Sequence, residues 1–249
     1  MRRLGGRVAV VTGGAKGIGK AISVSLAAAG AAVGVNYATD AAAAYAVVAE
    51  IQAGGGLAVA VRGDQSNPDD VEQLFAATSE AFGLVDVLVN NAGAFSFQPI
   101  EDVTEAEFHR LYNTNVLGPI LTTQCFVRQA PAKGGSIINI SSAGTALRGP
   151  GSALYTSTKG ALVTLTQILA KEFGPRQIRV NAIAPGATDT EGARRVGALE
   201  GDRHARLLAA TPLGRIGQPD DISPVAVFLA SDDARWITGD VIFVAGGIQ

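Results

Sequence analysis

The sequence predicts an α/β fold, a doubly wound parallel sheet of about seven strands with helices on both faces. Three observations point there. Short β-branched runs alternate with longer segments of helical period. Each run is apolar nearly throughout, as strands covered on both faces require. No linker, internal repeat or low-complexity tract divides the 249 residues, so one domain, 1–249, is expected.

The strands are expected at RVAVVTG (7–13), AAVGVNY (31–37), LAVAV (57–61), VDVLVNN (85–91), GSIINIS (135–141), IRVNAIA (178–184) and, last, VIFVAGG (241–247). Between them the pattern predicts helices over 17–29, 39–53, 68–82, 105–129, 153–173 and 219–230. Pro68 and Pro219 stand where a first helical turn tolerates a missing N–H. Residues 188–213 break the rhythm. They carry Glu191, Arg194, Arg195, Glu200, Asp202, Arg203 and Arg206 without a strand pattern, and read as a partly helical lid over a site.

The bulk properties narrow the function. A formal net charge of -2, from 20 basic and 22 acidic residues spread along the chain, leaves no electrostatic footprint for nucleic acid or an anionic membrane. The longest apolar stretch, 41–49, is far short of the roughly 18 residues of a membrane helix. Met1-Arg2-Arg3 begins like a signal peptide, but the apolar run Val8 to Val11 is too short to continue it. The single cysteine, Cys125, excludes an intrachain disulfide and lies in an apolar stretch that suits a buried, inert thiol. A cytoplasmic protein is expected. No cluster of Cys, His and carboxylates suggests a metal.

The first strand empties into Thr12-Gly13-Gly14-Ala15-Lys16-Gly17-Ile18-Gly19 and then into a helix. Glycines let backbone approach a ligand closely, and the helix start offers unpaired N–H groups to phosphate oxygens. Alone, the turn is equally a tight connection that binds nothing. Gly14 to Lys20 also matches most of a P-loop, but Ala21 stands where that motif needs a hydroxyl for Mg²⁺. The spacing differs from G-x-G-x-x-G as well.

It resembles instead the T-G-x-x-x-G-x-G pattern of the short-chain dehydrogenase/reductase family, carried by Thr12, Gly13, Gly17 and Gly19. Further stretches fall into that family's order over essentially the whole chain: Asp64, Asn90-Asn91-Ala92-Gly93, Asn115, Ser142, Tyr155-x-x-x-Lys159, Pro185-Gly186, Thr188 and Thr190. The resemblance implies a Rossmann-type sheet and an oxidoreductase that moves a hydride between nicotinamide and a small-molecule carbonyl or secondary alcohol. It places Asp64 at the adenine, the Asn91, Ala92 and Gly93 stretch along the cofactor channel with Gly13, Gly17, Ile18 and Gly19, and Pro185, Gly186, Thr188 and Thr190 toward the nicotinamide. It also implies a homotetramer built through the long helices and the final strand.

Which nicotinamide cofactor is a question of charge. A carboxylate ending the second strand would accept from the ribose hydroxyls of NAD and repel a 2′-phosphate. That strand ends Val35-Asn36-Tyr37-Ala38-Thr39, with no carboxylate before Asp40, and Lys16 lies in the glycine turn where cations of similar proteins reach the 2′-phosphate. NADP(H) is expected ahead of NAD(H), although no arginine adjoins Tyr37 in the sequence.

Tyr155 and Lys159 are four apart on one predicted helix and share a face. A phenol with a pKa of about 10 is a poor base near neutrality. An ammonium at about 4 Å attracts the phenolate by on the order of 4 kcal/mol, enough to lower that pKa by up to roughly three pH units. Tyr155 is therefore the expected acid/base, with Lys159 depressing its pKa and holding the nicotinamide ribose. Ser142 closes the fifth strand, at the edge where open α/β sheets bind ligands, and its hydroxyl can donate to a carbonyl oxygen. Its neighbour Ser141 points to the other face by strand alternation. The family resemblance assigns Asn115 a water in the proton relay. Remaining alternatives are a P-loop NTPase, a catalytically idle NADP-binding protein, and a 3-oxoacyl-acyl-carrier-protein reductase whose acidic carrier would meet Lys133 and Arg176.

Overall fold

Each predicted strand run matches one strand of a parallel sheet, with β3 and β6 running one residue past the expected end: β1 (Val8–Val11), β2 (Ala32–Tyr37), β3 (Leu57–Arg62), β4 (Val87–Asn90), β5 (Gly135–Ile140), β6 (Ile178–Pro185) and β7 (Val241–Val244). They lie in the order β3-β2-β1-β4-β5-β6-β7. The computed structural model describes residues 3–195, 197 and 201–248; Met1, Arg2, Gln249 and, within the expected lid, 196 and 198–200 lie outside the described residues, as do the side chains of Asp202 and Arg203. Ten α-helices connect the strands among those residues: α1 (Gly17–Ala28), α2 (Ala41–Ala53), α3 (Pro68–Phe82), α4 (Glu105–Tyr112), α5 (Gly118–Gln129), α6 (Gly144–Leu147), α7 (Ala153–Phe173), α8 (Glu191–Arg195), α9 (Gly201–Ala210) and α10 (Pro219–Ala230).

Alternation along the strands feeds two apolar layers. Ala9, Val11, Val33, Val35 and Val89 face Ile22 and Leu26 of α1, Val47 and Ile51 of α2, and Ile222 and Leu229 of α10. Val8, Val10, Leu88, Ile137 and Val180 face Leu74 and Phe75 of α3, Phe126 of α5 and Ala170 of α7. Each fully buried Leu, Ile or Phe stabilises by about 1.5–3 kcal/mol, and both faces must be covered, which is why the strand runs read apolar throughout.

Two helical segments differ from the sequence expectation for a clear local reason. The segment 105–129 is not one regular helix: a π-helical turn, Asn113–Leu117, separates α4 from α5. Pro119 has no N–H to return to the Asn115 carbonyl four residues earlier, and the turn widens there. Helix α2 starts at Ala41, because the Asp40 carboxylate accepts from the Ala43 N–H at 3.0 Å and caps the helix. The described part of 188–213 forms α8 and α9. No helix among the described residues is long and apolar enough to cross a membrane.

The chain runs outward from β1 to β3 and then returns to β4 beside β1. The carboxyl ends of β1 and β4 thus diverge into a crevice, the usual ligand position of an open α/β sheet.

Candidate active site

The crevice is closed at its floor by side chains from both strand ends. Thr12 Oγ1 accepts from the N–H groups of Asn91 and Ala92, both at 3.0 Å. Asn91 Nδ2 donates to the carbonyls of Thr12 and Gly13 at 2.9 and 3.1 Å. Gly13 and Gly17 hold positive φ of 59° and 50°, backbone that other residues adopt only with strain. A Cβ on Gly19 would run into the Gly13 carbonyl and the Asn91 amide. Lys20 points outward to Glu50, Nζ to Oε2 at 2.9 Å, so the cation a P-loop needs is turned away from the turn.

Next to this floor, α7 presents Tyr155 and Lys159 toward the end of β5. Ser141 and Ser142 face opposite ways, as alternation requires: Ser141 Oγ is buried and donates to the Lys159 carbonyl at 3.1 Å, whereas Ser142 Oγ lines the cavity and hydrogen-bonds the Tyr155 phenol. Lys159 Nζ donates to the Ile140 carbonyl at 2.8 Å and stands 5.9 Å from the centre of the Tyr155 ring. Asn115 is fully buried behind Gly93. Its Nδ2 donates to the Ala94 carbonyl (2.7 Å) and Thr158 Oγ1 (2.9 Å), and its Oδ1 accepts from the Ala94 N–H (2.7 Å). A Cβ on Gly93 would lie 3.4 Å from Lys159 Nζ and 3.5 Å from Asn115 Oδ1, so these groups share one small space. Ser142, Tyr155 and Lys159 open onto a cavity of about 740 Å³.

The electrostatics correct one expectation. Burial pushes the Tyr155 phenol above its ordinary value, the Ser142 hydroxyl drawing it partly back. Burial also pushes the Lys159 ammonium down to about 8. Lys159 does not pull the phenol down here, because its own charge is disfavoured in the same dry surroundings and its ammonium is directed at Ile140. At neutral pH the phenol keeps its proton. Two further rings frame it: Phe95 and Phe97 meet Tyr155 edge to face, with centroids 6.3 and 5.7 Å away.

A family model described as enoyl-(acyl carrier protein) reductase matches residues 13–249. An uncharacterized oxidoreductase of Methylorubrum extorquens is 51% identical over the whole of both chains. Versicolorin reductase of Emericella nidulans is 41% identical, over 98% of this chain and 96% of that one. A solved short chain dehydrogenase from Burkholderia cenocepacia, in complex with NADP, superposes with a TM-score of 0.92 at 36% identity over 99% of both chains. The chain belongs to the short-chain dehydrogenase/reductase family. It is an oxidoreductase of that family.

In this dehydrogenase/reductase most of the sequence-selected positions converge. Gly13, Lys16, Gly17, Ile18, Gly19, Tyr37, Asn91, Ala92, Gly93 and Thr190 line a channel beside the glycine turn, and Pro185, Gly186 and Thr188 line the cavity with Tyr155 and Lys159. Asp64 does not line either space. Its Oδ1 accepts from the Ser66 N–H and hydroxyl, both at 2.8 Å, which turns the carboxylate into its own loop. The neighbouring Gln65 is the buried residue: its Nε2 donates to the carbonyls of Ala92 (3.0 Å) and Thr114 (2.7 Å), tying the channel wall to the π turn. Cys125 is half-buried, and burial pushes its thiol up.

The charge at the channel mouth also differs from the expectation. Asp40, although past the strand end, swings its carboxylate onto Lys16 in an ion pair, and Lys16 and the capped Ala43 N–H hold that carboxyl below its ordinary range. Arg195 of α8 stands at the same mouth. Proximity in sequence gave no sign of Arg195, which α8 brings to the mouth from far along the chain.

Proposed function

We propose that this chain is an NADP(H)-dependent carbonyl reductase, the convergence of Ser142, Tyr155 and Lys159 on a glycine-lined channel being the observation that carries the reading. The channel suits a dinucleotide: a Cβ on Gly17 would fill the cleft to within 3.1 Å of Thr190 Cγ2, and the start of α1 offers its N–H groups to a pyrophosphate. The nicotinamide, when bound, supplies or accepts the hydride. Tyr155 donates the proton to the carbonyl oxygen, and a phenol held protonated by burial fits the reductive direction. The Ser142 hydroxyl donates to the same oxygen as charge develops on it. Lys159 uses its remaining N–H donors on the ribose hydroxyls. Asn115 clamps the channel wall through Ala94, while its main-chain carbonyl, which Pro119 cannot meet with an N–H four residues on, accepts the relay water. The described part of 188–213, which lines the cavity with Ala193, Arg206 and Leu207, acts as a lid on the single domain 1–249.

Titration of the protein's quenching of NADPH and NADH fluorescence tests the cofactor. NADPH is expected to bind more tightly, with the gap narrowing as salt screens the phosphate contacts. Equal affinities at low and high salt would remove NADP(H) from the reading. An NADPH-oxidation screen over ketones, sugars, quinones and acyl thioesters identifies the carbonyl substrate. The acyl-carrier alternative loses its charge support. Lys133 and Arg176 lie at the amino ends of β5 and β6, on the edge opposite the site, where Lys133 pairs with Asp86 (4.0 Å) and Arg176 Nη2 donates to the Val127 carbonyl (2.5 Å).

The homotetramer is part of the same proposal. Strand β7 is a sheet edge whose Phe243 is exposed, and α4, the π turn and α7 leave Phe108, Leu117 and Ile168 in solvent, apolar surface suited to symmetric pairing. Sedimentation at micromolar concentration is expected to give four times the mass of one chain; a monomer would refute it.

A further inference from the structure

We infer that Arg195 is a recognition residue for the adenosine 2′-phosphate and that Asp40 opposes it, so that the lid as well as the glycine turn sets the choice between NADP(H) and NAD(H). The inference rests on the reading of the channel as a dinucleotide site. Lys16, Tyr37, Asp40 and Arg195 meet at the outer end of that channel, away from Tyr155. The cations there are not equivalent. Lys16 is already engaged by Asp40, and the adjacent Arg194 is held by Asp189 through two hydrogen bonds of 2.6 Å. Arg195 makes no hydrogen bond or ion pair among the described residues, and its charge acts on Asp40 across the mouth. Glu191, the other acid lining the channel, lies one turn back on α8, toward Arg194.

A ribose bearing a free 2′-hydroxyl can donate to Asp40 without disturbing the Lys16–Asp40 pair. A 2′-phosphate brings up to about two negative charges. It is repelled by Asp40, draws Lys16 away from it and takes Arg195 as a planar, multi-donor partner, the geometry in which guanidinium binds phosphate best. Because Arg195 ends α8, this contact also fastens the strap. The preceding residues of the strap already sit across the channel: Thr190 lies over Gly17, and a Cβ on Gly192 would be 3.3 Å from the Phe95 ring that abuts Tyr155.

The intact protein is tested by calorimetry with 2′-phosphoadenosine 5′-phosphate and 5′-AMP, and by fluorescence titration with NADPH and NADH. Arg195→Ala is expected to weaken NADPH and the 2′-phosphorylated fragment by about tenfold, the worth of one charged hydrogen-bond contact near the surface. NADH and 5′-AMP should stay within about twofold. Asp40→Asn keeps the helix cap and removes only the charge; it should raise NADPH affinity by about threefold to tenfold, as Lys16 is released. Hydrogen exchange over α8 should be slower with NADPH than with NADH in the parent protein, and the difference should vanish in Arg195→Ala. An Arg195→Ala effect that is absent, or equal for the phosphorylated and unphosphorylated ligands, overturns the assignment while leaving the dinucleotide site standing. A parent protein that binds neither NADPH nor NADH overturns both.

Discussion

Tyr155→Phe is expected to lower turnover by about 10²- to 10⁴-fold, the usual contribution of a positioned general acid, while NADPH affinity hardly changes. The substitution deletes one hydroxyl and keeps the ring, so the edge-to-face contacts with Phe95 and Phe97 survive. What is lost is the proton at the carbonyl oxygen and the hydrogen bond with Ser142. The direction of the Tyr155 shift makes a second, pH-resolved statement. Because burial raises the phenol's pKa, the protonated form persists to higher pH: carbonyl reduction by the parent should be flat through neutrality, and alcohol oxidation, which needs the phenolate, should still be climbing at alkaline pH. Steady-state rates in both directions across pH check this. Near-native turnover of Tyr155→Phe on every substrate the parent accepts would leave the proton to another group.

Lys159→Met should look different. It retains the apolar stem and removes the ammonium, so NADPH affinity is expected to fall by about ten- to hundredfold, the range for losing charged hydrogen bonds. It should also change how stability responds to pH. In the folded protein Lys159 titrates at about 8 against an ordinary 10.5, so between those values the unfolded chain binds more protons, and the contribution of this residue to stability rises with pH. Below pH 8 the fold carries the cost of a buried charge, about 3 kcal/mol at about 1.4 kcal/mol per pH unit. Denaturant titrations at pH 7 and pH 10.5 should therefore show the stability of Lys159→Met relative to the parent dropping by about 3 kcal/mol at the higher pH. A pH-independent difference would mean that the ammonium carries no such cost.

The strands were readable from the sequence because a parallel strand covered on both faces must be largely apolar, and the seven runs are apolar nearly throughout. Their predicted ends ran long wherever the turn residues continue the pattern, as at Thr12-Gly13 and Asn91. The π turn was hidden because Pro119 looks like an ordinary first-turn proline; the sequence does not show that the helix widens before it. The four-residue spacing of Tyr155 and Lys159 correctly put them on one face, but spacing carries no information on solvation. Burial therefore reversed the expected direction of the phenol's shift. Gln65 shows the same limit: the order of motifs identifies the loop, and only the hydrogen bonds show that Gln65 braces the channel wall. Arg195 was beyond any local argument, since α8, which carries it, meets Lys16 only through space.

The stitching of Thr12 to Asn91 bridges 79 positions of the chain, and that distance says when the cradle comes into being. Neither the β1–β3 half nor the remainder contains it. It exists only after β4 has docked beside β1, a non-local pairing whose loop-closure entropy is met late in folding. Partly folded chains therefore have nothing with which to hold a dinucleotide. On the proposed function, a dinucleotide in excess binds the finished sheet alone and shifts the whole folding equilibrium by mass action.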